Sequence, residues 1–207
     1  MLSTLPLFLA LATGVASGAA RADCPVTAAE LDLGLLRALA AFEEQRYLDF
    51  EAERTDAEGA MDCLGEVLRG QQLLNVHLVW TSKALLHGDE DAVLAGLRAL
   101  RVVAPGFALP ESWMTSSGKV QQLFVEAQTV GPGREQKLPG RLVVDGHVAS
   151  SYIPAERSAV VQIRNAHGSW SSWYVEPSAP TATWMMAREE RDPAPSDAMA
   201  PVPVPAE

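Results

Sequence analysis

The chain has 207 residues, 48% of them hydrophobic, and carries 16 basic against 26 acidic side chains for a formal net charge of −10. An acidic surface of this kind repels phosphate backbones, which excludes nucleic acid as a partner. The length allows one or two small domains, and past the N-terminus no stretch approaches the roughly 20 apolar residues of a membrane span, so no transmembrane segment is expected in the mature protein.

Residues 5–15 form an apolar run, and Ala20-Arg21-Ala22 is a small-x-small cleavage site ahead of Asp23. Residues 1–22 are therefore expected to be a signal peptide, cleaved after Ala22, that makes the protein periplasmic or secreted. Loss of Arg21 leaves 15 basic against 26 acidic residues, a net −11. Asp23 stands where a lipid-anchor motif needs a small residue, so Cys24 is not read as a lipidation site. Cys24 and Cys63 are the only cysteines. In an oxidising compartment such a pair forms a disulfide, here closing a loop of about 40 residues at a gain of about 2–4 kcal/mol. No C-x-x-C occurs and no histidine completes a ligand set, so neither a redox role nor a metal is expected.

An α-helical domain is expected over residues 23–129. Thr27-Ala-Ala-Glu30 is a capping box opening a helix with Leu31, Leu35, Leu36, Leu39, Phe42 and Tyr47 inward. Thr55-Asp-Ala-Glu58 is a second such box, opening a helix with Met61, Leu64, Val67 and Leu68 inward and closed by Gly70. Residues 71–105 read as two helices broken at Gly88. Leu74, Leu78, Trp80, Ala84 and Leu85 are the apolar positions of the first, and Val93, Leu94, Leu97, Leu100 and Val103 share one face of the second. Gly88 can close the first helix in the left-handed conformation, and Asp89, Glu90 and Asp91 suit the positive end of the second. A connection with Phe107, Leu109 and Trp113 leads to a fifth short helix over 119–128.

The pattern changes at Val130. Residues 130–139 are a Gly/Pro-rich linker. Over 140–175, three or four short β runs with the hairpin dipeptide Asp145-Gly146 between them predict a small antiparallel β module that packs on the helices. Residues 176–207 hold seven prolines and read as a disordered Pro/Ala-rich tail whose one apolar spot is Trp184-Met185-Met186. The expected class is α+β: antiparallel α-helical hairpins followed by a small antiparallel β module.

Two resemblances attach to these residues. The unit closed by Gly88 and ended by Pro105, with the D-E-D-A-V run between, resembles a tetratricopeptide repeat, although Val93 stands where that repeat usually has a small residue. The run Gly140-Arg-Leu-Val-Val-Asp-Gly146, with Pro154 and the strand over 160–164, resembles the PEGA-type β modules of bacterial surface and envelope proteins. Together they imply an envelope scaffold or adaptor, and no active site comes with them.

Chemistry-bearing motifs are sparse. There is no G-x-S-x-G elbow, phosphate-cradling loop or dinucleotide fingerprint, and no catalytic residue is assigned. His77 reads as a packed residue of its helix, His87 as a helix-end residue, and His147 and His167 as solvated residues near turns. The sequence thus predicts a non-enzymatic protein-protein adaptor or scaffold in the bacterial cell envelope, without cofactor, whose partners are envelope proteins. Its candidate partner surface is the central hairpin around Trp80 and His77. The alternative is a glycan- or peptidoglycan-binding module using the aromatic strand Trp170, Trp173 and Tyr174, which needs two rings exposed on one face. Strand alternation sends Trp173 to one face and Trp170 with Tyr174 to the other.

Overall fold

The computed structural model describes residues 26–114, 118–128, 134–135, 142–149, 152–164 and 168–177. The expected signal peptide over 1–22, Cys24, most of the expected linker, His167 and nearly all of the expected tail over 176–207 lie outside the described residues.

Among the described residues, five helices are followed by strands, an α+β arrangement: α1 (Ala28–Glu43), α2 (Tyr47–Met61), α3 (Gln71–His87), α4 (Glu90–Val103), a 3-10 turn (Glu111–Trp113) and α5 (Lys119–Glu126). The strands are β1 (Arg134–Glu135), β2 (Leu142–Val144), β3 (His147–Ala149), β4 (Tyr152–Ile153), β5 (Ala159–Arg164) and β6 (Trp170–Val175). Helices α1 and α2 form one hairpin, α3 and α4 a second, and α1 packs on α3 across the two.

The capping box at Thr27 forms as expected. Its hydroxyl accepts from the Glu30 N–H at 3.2 Å, and Glu30 Oε2 accepts from the Thr27 N–H at 2.9 Å. The bond from the Thr27 backbone N–H foremost, and then that from its hydroxyl to the same carboxylate, hold the Glu30 carboxyl below its ordinary value. The second box does not form. Helix α2 starts eight residues earlier, at Tyr47, after Gln45 turns the chain with φ +59°. Thr55 is then mid-helix, where its hydroxyl donates to the Glu51 carbonyl four residues back at 2.8 Å, and Glu58 pairs with Arg54. Leu64 and Leu68 accordingly lie beyond the helix end, buried in extended chain. Gly70 caps the start of α3 instead of closing α2.

At the central hairpin Gly88 takes φ +69°, and the Asp89 carboxylate accepts from the Ala92 N–H at 3.0 Å to cap α4. Nothing lies within 4 Å of a Cβ built on Gly88, so a side chain there meets only backbone strain. Gly88→Ala should cost about 1 kcal/mol, read as a lower denaturant midpoint at an unchanged slope.

Helix α3 is buried on almost every side, because α1, α4 and the sheet all rest on it. The sheet has strand order β3-β2-β5-β6, wholly antiparallel, with Val144 opposite both His147 and Val161 and Ala159 opposite Val175. A two-stranded ladder pairs β1 with β4. One sheet face sends Val160, Trp170 and Tyr174 into the core of α1, α2 and α3. The other gathers Leu142, Val144, Val161, Ile163 and Val175 with Ile153. The extended segment after α2 stitches the layers: Leu64 exchanges both backbone bonds with Trp170, at 2.9 and 2.7 Å, and bridges Val26 on its other side. Among the described residues, no helix is long and apolar enough to cross a membrane.

Candidate functional site

Three places gather side chains that could act: the helix-sheet seam around His77, the aromatic strand β6, and the outer face of α1.

At the seam, the Asp145-Gly146 turn between β2 and β3 is driven against the helices. Asp145 and Gly146 take φ +46° and +75°, as a tight hairpin of this sequence requires. A Cβ on Gly146 would stand 3.0 Å from the Leu68 carbonyl and 3.1 Å from Leu73, so only glycine lets the turn come this close. Asp145 is buried, and its carboxylate is fully engaged. Oδ1 meets His77 Nε2 at 3.0 Å and accepts from the Val160 N–H at 2.9 Å, while Oδ2 accepts from the Arg157 guanidinium. Arg157 also donates to the Ser158 carbonyl at 3.0 Å. Burial alone would raise the Asp145 pKa. His77, by hydrogen bond and when protonated by charge, outweighs it together with the Arg157 charge and the Val160 N–H, and holds the carboxyl down at about 2. A second tie lies nearby, where Gln162 Oε1 accepts from the Leu68 N–H and its amide donates to Ser172.

A histidine, an aspartate and the neighbouring Ser158 carry the residue types of a hydrolytic triad, yet the geometry is that of a joint. His77 and Ser158 have no exposed surface. Tyr174, in edge contact with His77 at 5.5 Å, is likewise unsuited to proton transfer, since burial pushes its phenol well above the ordinary range. Among the described residues no cluster of three His, Cys, Asp or Glu side chains is placed to hold a metal ion. Asp145 ties the β2-β3 turn to His77 on α3 and to Arg157 just ahead of β5.

This placement corrects the sequence-based partner surface. His77 is fully buried and Trp80 is 7% exposed, stacked on Tyr174 at 5.3 Å and 27°. The hairpin carrying them is the centre of the protein, so neither ring is offered to a partner. On β6, Trp170 and Tyr174 share a face and are half-buried against the helical core, while Trp173 packs on the opposite face. Two open rings on one face, the requirement of a sugar platform, are not found on this strand. Cys63 is disulfide-bonded, and Cys24, its expected mate, lies outside the described residues. His87 is exposed at the end of α3, where its Nδ1 bonds the Lys83 carbonyl, and His147 is exposed in β3.

Comparison with protein-family models, curated proteins and solved structures finds no match.

The third place is the one that sequence reasoning missed. Helix α1 buries Leu31, Leu35 and Ala38 against α2 and α3, as its periodicity requires. Opposite that stripe runs a second apolar one: Ala29, Leu33, Leu36 and Ala40, all exposed, with Leu33 at 59% and Leu36 at 46%. The sequence pattern places Leu36 on the inner face, and the structure turns it outward. The spacing of four, three and four residues keeps these side chains on one line over three turns, as in a coiled-coil seam. That second period was available in the sequence but was absorbed into a single broad apolar face. At Ala40 the stripe runs into a cleft of about 410 Å³ between α1 and α2, lined by Arg37, Ala40 and Ala41 on one side and Arg46, Asp49, Ala52 and Glu53 on the other. Leu48 on α2 is 89% exposed.

The charge around this face is one-sided. Residues 28–61 hold nine acidic and three basic side chains, a net −6 of the chain's −10. The three arginines are all committed: Arg37 to Glu53 at 2.9 Å, Arg46 to Glu44 at 2.7 Å and to Asp49, and Arg54 to Glu51 and Glu58.

Proposed function

We propose that this protein is a non-enzymatic adaptor of the bacterial cell envelope that docks a partner protein on the outer face of α1. The observation that carries this reading is the exposed Leu33-Leu36 stripe. Scattered exposed leucines are ordinary, but a continuous apolar line beside a cleft on a helix whose other face is already packed is the form an interaction site takes. The buried polar groups support the non-enzymatic part, since the Asp145 carboxylate is occupied by His77, Arg157 and the Val160 N–H. The envelope assignment rests on the apolar run and cleavage site over 1–22, and the disulfide at Cys63 fits an oxidising compartment. Proteins of the envelope are the expected partners.

The test is capture of partners from a solubilised envelope extract by the parent protein and by L33E/L36E. Both leucines are exposed, so the variant should keep its unfolding free energy within about 0.5 kcal/mol of the parent. At least one protein retained by the parent should be lost by the variant, identified by mass spectrometry and quantified as a drop of about tenfold or more. Identical retention by the two proteins would contradict the proposal.

A further inference from the structure

Resting on the adaptor reading, we infer that the occupant of the α1 face is a basic amphipathic helix of a partner protein. Its apolar stripe would pair with Leu33 and Leu36, and its flanking lysines or arginines would face the acidic hairpin.

The shape argument comes from the seam. Ala29, Leu33, Leu36 and Ala40 place two leucines between two alanines at coiled-coil spacing on a helix about 24 Å long. The small residues at both ends let a second helix approach closely, while the two leucines supply the apolar contact. An extended strand matches this line poorly, because its side chains on one face recur at about 6.6–6.8 Å with no period of seven residues.

The charge argument selects among helices. Glu30 and Glu43 flank the stripe, and among the described residues no lysine or arginine pairs with either, while Asp32 beside them accepts from Asn75 on α3 at 2.7 Å. The nearest cations, Arg37 and Arg46, are already neutralised by Glu53, Glu44 and Asp49. An incoming helix with lysine beside its seam gains attraction on both flanks, and one with glutamate meets repulsion on both. The same reasoning sets aside a second copy of this chain, which would bring its own −6 hairpin to the contact. It also sets aside the chain's residues 178–207, which hold five acidic and two basic residues and are interrupted by prolines.

The test uses the full chain without residues 1–22 and two synthetic 21-residue helical peptides. Both have leucine at the seam positions; one has lysine and the other glutamate beside the seam, and binding is read by fluorescence anisotropy at low and moderate salt. The lysine peptide should bind at least about tenfold more tightly than the glutamate peptide, with an affinity that falls as salt rises. L33E/L36E should weaken lysine-peptide binding by about tenfold or more. That variant adds two negative charges, so mere electrostatic adsorption would strengthen on the substitution and seam docking must weaken. Unchanged or tighter binding to the variant overturns the inference, as do equal affinities for the two peptides or no binding of either. A dimer of the parent that dissociates in L33E/L36E overturns it in favour of a second copy. In each of these cases the extract capture separates the two levels: partners lost by L33E/L36E leave the adaptor reading standing without the basic helix, and partners retained remove both.

Discussion

Asp145→Ala is expected to destabilise the protein by about 3–5 kcal/mol, the largest loss foreseen for any single side chain in the molecule. The substitution removes the acceptor for three buried donors at once, since His77, Arg157 and the Val160 N–H all converge on this carboxylate. Arg157 is almost wholly buried and would keep its charge without the partner that offsets its desolvation. The acid-denaturation profile supplies an independent reading. The folded Asp145 carboxyl is held at about 2 against an ordinary 3.8, so its ionised form is the one that folding favours. Its stabilising contribution is present above about pH 4 and is lost as pH falls toward 2, to the extent of about 2 kcal/mol. Asp145→Asn should therefore be less stable than the parent at neutral pH and should lose less stability between pH 4 and pH 2. Guanidinium unfolding at a series of pH values measures both. A variant whose stability matched the parent at neutral pH would mean that the seam is not held by this carboxylate.

Gly96→Leu is expected to cost about 3 kcal/mol by forcing α3 and α4 apart. Even a Cβ at this position would lie 2.2 Å from Thr81 Oγ1 and 3.1 Å from Thr81 Cβ. Thr81 cannot turn aside freely, because its hydroxyl donates to the His77 carbonyl at 2.7 Å and its methyl is itself only 3.2 Å from the added atom. The smaller change Gly96→Ala separates two opposing terms. Alanine favours the helix by about 1 kcal/mol, and the overlap with Thr81 must exceed that gain for the variant to be destabilised. Truncating the partner in Gly96→Ala/Thr81→Ala removes the closest atom and should recover part of the loss. A double-mutant cycle by thermal unfolding then gives the coupling directly.

How far the fold could be read beforehand depended on the range of the interaction. The capping box at Thr27, the left-handed Gly88 and the Asp145-Gly146 hairpin are each decided by residues a few positions apart, and each stands where the local pattern put it. The start of α2 failed for a related reason. Thr55 and Glu58 have capping spacing, but the same spacing occurs inside a helix, where the hydroxyl turns back to a carbonyl and the glutamate pairs along the helix. The true start at Tyr47 carries no side-chain cap to announce it. The seam was beyond local reading altogether. His77 and Asp145 stand 68 residues apart, and nothing near either one marks the other as its partner. The sequence reading packs His77 in its helix and yet offers it with Trp80 as a surface, and both are buried, because a central helix and a half-exposed helix carry similar apolar content. The α1 stripe was lost in the opposite way: its leucines are hydrophobic, and with one packed face already accounted for they were folded into it.

The division of labour that follows is simple. His77 and Asp145 are internal and join the sheet to the helices, and the proposed docking surface is the apolar line on α1 set in acidic charge. The most direct measurement is site-specific photo-crosslinking in intact cells, with the crosslinker placed at Leu36 in one strain and at Val125 in another. Val125 on α5 is apolar and, at 63%, more exposed than Leu36, so it is at least as accessible and differs in lying off the stripe. A discrete protein adduct from position 36 and none from position 125 is the predicted result. No adduct from position 36, or the same adducts from both positions, would contradict the account.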